Sequence, residues 1–97
     1  MSRSTITFAS DTVKDFAANP KRDAEYKSTI QNLTDQTITI TVTNERIQSG
    51  TPTFGTPSQG AVAITAGTFA SINEPYSGWR LTAGVAATGD VVIMEAG

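Results

Sequence analysis

Residues 37–43, Thr-Ile-Thr-Ile-Thr-Val-Thr, alternate polar and apolar without a break. A period of two marks a strand with one face on a core and the other outside. Ile38, Ile40 and Val42 form the inward set, and Thr37, Thr39, Thr41 and Thr43 the outward set. β-Branched residues on both faces suit a pleated surface. The same alternation predicts strands over 4–9 (Ile6 and Phe8 against Thr5 and Thr7), 25–33 (Tyr26, Ser28 and Ile30 on one face), 61–66 (Val62 and Ile64 inward), 68–72, 79–83 (Trp79, Leu81, Ala83) and 91–95.

Between these lie turn signals. Pro20 disfavours helix at Asn19, so 19–23 reads as a charged loop. Asp35-Gln36 makes a short turn, and the strands on either side of it are the best hairpin candidate in the chain. The segment 45–60 reads as a long loop, because Pro52 and Pro57 argue against a central strand. Turns are expected at 73–78 and 86–90. Residues 11–18 stay open: Val13, Phe16 and Ala17 have helical spacing, but the run is short, and a second strand fits equally. About seven or eight short strands at these spacings predict an all-β fold, a small antiparallel two-sheet β-sandwich of jelly-roll or immunoglobulin-like connectivity.

At 97 residues the chain is expected to be one domain, 1–97. Its formal net charge of -2 gives no basic field for phosphates, so free nucleic acid is not an expected partner. No stretch approaches the length of a membrane span, no membrane partner is expected, and no apolar run near Met1 resembles a signal peptide. Synthesis in a cytoplasm is expected.

The chain has no His and no Cys, which removes the common catalytic triads and dyads and all thiolate metal sites. Two carboxylate pairs remain, Asp11 with Asp15 and Asp23 with Glu25, and nothing in the sequence places either across a cleft. We read them as solvated charges and expect no enzyme activity, no metal and no cofactor. Asn32-Leu33-Thr34 has the form of a glycosylation acceptor, which without a secretory signal carries little. Tyr76 and Trp79 are the candidates for a sugar-stacking platform. Trp79 opens an alternating run and reads better as a core anchor, while Tyr76 beside Pro75 is open to either role.

The stretch 47–73 contains no charged residue. Depletion of charge marks interface cores, and so long a neutral segment is not expected to be buried completely in a domain of this size. Within it, Phe54 sits between Pro52 and Pro57 and is expected either to plug one end of the fold or to insert into a neighbouring protein. The candidate interface residues are Arg3, Thr39, Thr41, Thr43, Pro52, Phe54, Pro57 and Tyr76, with 1–4 as an extended arm that reaches a neighbour.

The run from Tyr26 to Thr34, the threonine-rich strand that follows, and Gly78-Trp79-Arg80-Leu81-Thr82 together resemble small virion proteins of tailed bacteriophages. The resemblance is one of style over most of the chain: short length, Thr/Ala/Gly-rich strands, and no Cys or His. It implies a non-enzymatic viral structural protein that binds the capsid exterior and stabilises it, of the decoration or cement type or a minor capsid protein. The implied partners are the major capsid protein or other virion proteins, in a homo-oligomer such as a trimer, and the implied location is the virion. A tail or head–tail connector component and a carbohydrate-binding module are the alternatives.

Overall fold

A computed structural model of the chain describes residues 2–17, 28–43, 53–72, 76 and 78–95. The fold is all-β, with no helix among these residues. Six strands form one antiparallel sheet: β1 (Ser2–Ala17), β2 (Ser28–Asn32), β3 (Ile38–Thr43), β4 (Val62–Ile64), β5 (Phe69–Ile72) and β6 (Gly78–Glu95).

The registers reveal a simpler plan. β1 runs along one edge of β6 for its whole length, from Ser2↔Glu95 to Ala17↔Gly78. The other edge of β6 takes β2 at one end (Ser28↔Glu95 to Asn32↔Val91) and β3 at the other (Ile38↔Ala83 to Thr43↔Gly78). Between them the ladder continues, as Leu33 N donates to Asp90 O at 2.8 Å and Asp35 N to Thr88 O at 3.2 Å. β2 and β3 are therefore two halves of one interrupted strand. β5 and β4 line its far side in the same way (Ser28↔Ile72, Ile38↔Ile64). The sheet is in effect four long strands, two of them interrupted near the middle.

The two interruptions fall beside each other, at 34–36 and 66–67, and the β1–β6 ladder is irregular near its own middle. In β1, register shifts flank Asp11, and Ser10 adopts φ 63°, a left-handed conformation rare for a residue with a side chain. Between Asp11↔Ala87 and Val13↔Thr82, β1 contributes only Thr12 while β6 contributes 83–86. The bends at 34–36 and the turn at 66–67 interrupt the other two. The sheet is nearly closed, and its apolar side forms one cluster. Phe8, Ile30, Ile72, Val91 and Ile93 come from one half, and Ile38, Ile40, Val42, Val62, Ile64, Trp79, Leu81 and Ala83 from the other.

Several expectations need correction. The strands around Asp35-Gln36 do not form a hairpin with each other; both lie on β6, which has enough length to ladder with each. Residues 86–90 are not a turn but part of β6. Gly89 in that stretch does take a positive φ (128°), yet its other requirement is closeness: a Cβ there would lie 2.7 Å from the Leu33 carbonyl oxygen and 2.9 Å from the Thr34 Cα. Residues 11–17 are extended, not helical, and continue β1, so Phe16 meets Trp79 with ring centroids 5.4 Å apart. Residues 2–4 are not a free arm, since they pair with Glu95, Met94 and Ile93. The 19–23 loop, Tyr26 and the 73–75 segment lie outside the described residues.

Two glycines give a direct test of the bend. Gly89→Ala is expected to cost at least about 3 kcal/mol in urea denaturation, because it meets both a backbone clash and a disfavoured φ. Gly84→Ala, with nothing within 4 Å of its added Cβ, is expected to change stability by no more than about 0.5 kcal/mol.

Candidate functional surface

Asn32 is the polar centre of the molecule. It ends β2, just before the 34–36 bend, and is fully buried. Its Nδ2 donates to the carbonyls of Gln36 and Ile64, both at 2.8 Å. Its Oδ1 accepts from Thr34 N at 3.0 Å and from the Thr34 hydroxyl at 2.6 Å. Its backbone N donates to Thr68 O at 2.9 Å, and its carbonyl accepts from Gly67 N at 2.8 Å. One side chain thus satisfies groups from the 34–36 bend and the end of β4, while its backbone holds the turn leading to β5. The glycosylation-like pattern at 32–34 is a structural device: the amide nitrogen that a glycan would modify is buried and fully bonded.

The candidate carboxylates do not converge. Asp15 takes Arg80 in a two-point contact, Nε to Oδ1 at 2.9 Å and Nη2 to Oδ2 at 3.2 Å, and Arg80 also lies over the Phe54 ring, 4.2 Å from its centroid. Asp11 Oδ2 accepts from Ala9 N at 2.9 Å, bridging the residue in left-handed conformation, and is 3.4 Å from Lys14 Nζ. The Ala9 amide, with help from Lys14, holds the Asp11 carboxyl below the usual aspartate value. No group of three or more acidic, His or Cys residues among the described residues is placed to hold a metal. Asp23 and Glu25 lie outside the described residues.

The aromatic candidates are packed inside. Trp79 is fully buried in the core, as its alternation indicates, and its Nε1 has no hydrogen-bond partner among the described residues. That is a cost of about 1–3 kcal/mol which the packing of so large a ring outweighs. Tyr76, which the sequence left open to an exposed role, is buried at 9 % exposure, with its hydroxyl accepting from Ser58 N at 3.1 Å. Neither ring has a free face for a sugar.

Among the interface candidates, Arg3 and Thr39 are exposed and Thr41 is half-buried. Thr43 is buried at 4 % exposure, and Pro57 is buried as well. These two and Tyr76 are corrections, since a residue inside the fold presents no side chain to a partner. Phe54 is half-buried under Arg80, beside Gly55, which exchanges two backbone bonds with Val42 at 2.8 and 2.9 Å. Pro52 lies outside the described residues. The described part of the uncharged stretch, 53–72, forms the outer edge of the sheet and is mostly exposed.

Sequence reasoning missed the surface that stands out most. On the outer face of the β1–β6–β2–β5 half, Phe69 is 70 % exposed and Leu33 50 %. The signal was present as an apolar residue out of phase in each strand, but the alternation argument discards such residues as noise. Comparison of the chain with protein-family models, with curated proteins and with solved structures returned no match.

Asn32→Ala is expected to destabilise the chain by about 2–3 kcal/mol, since it takes the side-chain partners from the Ile64 carbonyl and the Thr34 amide, while the Gln36 carbonyl keeps the Thr34 hydroxyl. Asn32→Asp keeps the acceptor and loses both donors. Its deficit is expected to grow as pH rises through neutrality, because a buried carboxyl facing carbonyls resists ionising. For Asp11 the sign is reversed: its folded-state pKa is lowered, so its contribution is present above the ordinary aspartate value and is lost as pH falls through the folded-state value. Urea midpoints measured from neutral pH down to about pH 2 in wild type and Asp11→Asn should converge at the acid end.

Proposed function

We propose that this chain is a non-enzymatic structural protein of a virus particle, one that binds the capsid exterior and stabilises it in the manner of a decoration, cement or minor capsid protein. The observation that carries the reading is the neutral outer edge. Residues 53–72 present an uncharged, mostly exposed strip. Such a strip can lie against a protein lattice at little desolvation cost, whereas a charged strip would have to be paired. Many copies on a lattice then multiply modest affinity by avidity.

The finer fold reading belongs with this proposal. We take the folded sheet as a two-layer β-sandwich whose layers share the long strands β1 and β6, which makes it stiff: a shear of one layer against the other must bend both. A rigid, pre-organised body loses little entropy on docking. Arg3, Thr39 and Thr41 remain the contact residues of choice, in a homo-oligomer that sits on the major capsid protein or another virion protein. A tail or connector position would use the same surfaces. The carbohydrate-binding alternative loses its support, because Trp79 and Tyr76 are both in the core.

Gradient sedimentation of native source material, probed for this chain, tests the proposal. The expected result is co-migration with a very large particle that persists through a salt wash. Recovery of all the chain at the top of the gradient would end the reading.

A further inference from the structure

The outer face of the β1–β6–β2–β5 half is arranged in rows by the strand registers. The central row is Thr5, Val92, Gln31 and Phe69. On one side lies Arg3, Met94, Thr29 and Ser71. On the other lie Thr7 and Asp90, with Leu33 bonded beside Asp90. Val92 sits between two core residues and faces away from them, yet it is buried. Phe69 and Leu33 remain open to solvent. The face carries one cation at one end, Arg3, and one anion at the other, Asp90. No ion pair to either is found among the described residues.

We propose that this face docks a second copy of the same chain, face to face, about a two-fold axis running along the central row. The charge placement selects both the partner and the axis. A two-fold along the central row keeps each strand over its counterpart and exchanges the flanking rows. Arg3 then lies over Thr7 of the partner copy, one strand from the Asp90 that Thr7 bonds at 3.0 Å and within reach of a long side chain, and the reverse contact forms at the same time, so the two charges of the face complement each other. Phe69 lies on the axis and meets its counterpart, a ring–ring contact of the kind that anchors interfaces. A two-fold parallel to the strands would instead set Arg3 over Ser71, two strands and two rows away from the Asp90 of the partner copy.

The size of the face sets the strength. Four strands spaced roughly 4.8 Å apart and three rows roughly 6.7 Å apart give on the order of 400 Å² per copy. The total is below the roughly 1,200 Å² of a standard stable interface. The dimer is accordingly weak, populated at upper-micromolar concentration and weakened by salt. On a lattice that already holds copies close together, the same face would link neighbours. The inference does not rest on the particle reading: a chain that is strictly monomeric in solution but bound to particles would end this inference and leave that one standing.

Sedimentation velocity from micromolar to millimolar chain, at low and high salt, is the test. Wild type is expected to show a concentration-dependent monomer–dimer equilibrium that weakens with salt. Phe69→Ser and Arg3→Asp are each expected to weaken association at least tenfold, with the thermal midpoint unchanged because both side chains are exposed. Arg3→Asp combined with Asp90→Arg is expected to restore it. A wild-type chain that stays monomeric at millimolar concentration overturns the proposal. So does a dimer that Phe69→Ser leaves intact, which would point to pairing through the outer edge of β1, and so does failure of the paired charge reversal to rescue.

Discussion

A sheet that folds across its own strands must release backbone groups at every bend, and each released group needs a partner inside the protein or in water. Asn32 supplies those partners where water cannot reach. It is short enough to fit at the crease and carries two donors and an acceptor on one planar group. It uses them on Gln36, Ile64 and Thr34, so the bend in the β2–β3 strand and the end of β4 are held from one point. The core residues on either side depend on that closure, because Ile30 and Ile38 belong to opposite halves of the fold.

The other bends are managed more cheaply. At the β1 crease, Ser10 accepts a left-handed backbone, and Asp11 secures the preceding amide with its carboxylate. Where β6 passes the 33–34 backbone, the absence of a side chain at Gly89 lets the Leu33 carbonyl close in. The interior solution at Asn32 is neutral and fully bonded, whereas the exterior solution at Asp11 is charged and solvated. That division follows from the cost of burying an ion.

Among the described residues, several polar and aromatic groups are committed to the packing. Arg80 is held between Asp15 and the Phe54 ring, and the aromatic pair Phe16–Trp79 is part of the packing. What is left outside is a neutral strip along one edge and an apolar face with a charge at each end. The exposed Phe69 and Leu33 have a desolvation advantage to gain from contact, and the neutral strip has little to lose.

The sequence by itself determined which residues face inward. The alternation at 37–43 put Ile38, Ile40 and Val42 in the core, and that at 79–83 did the same for Trp79, Leu81 and Ala83, because the period of a strand is local and a shift by one residue would expose the whole apolar set. It also determined the all-β class. What it left undecided was partnership. The turn at Asp35-Gln36 looked like a hairpin because hairpins join neighbouring strands, but pairing is a long-range choice, and β6 is long enough to take both strands on one edge. The same holds for 86–90, whose Thr-Gly-Asp has turn composition while its glycine serves a close approach from Leu33, more than fifty residues away along the chain. The burial of Tyr76, Thr43 and Pro57, the capture of Phe54 by Arg80, and the alignment of Arg3, Phe69 and Asp90 on one face were likewise decided by tertiary structure. Each depends on which strands lie side by side, and strand registers are fixed by the closing of the core rather than by any local pattern.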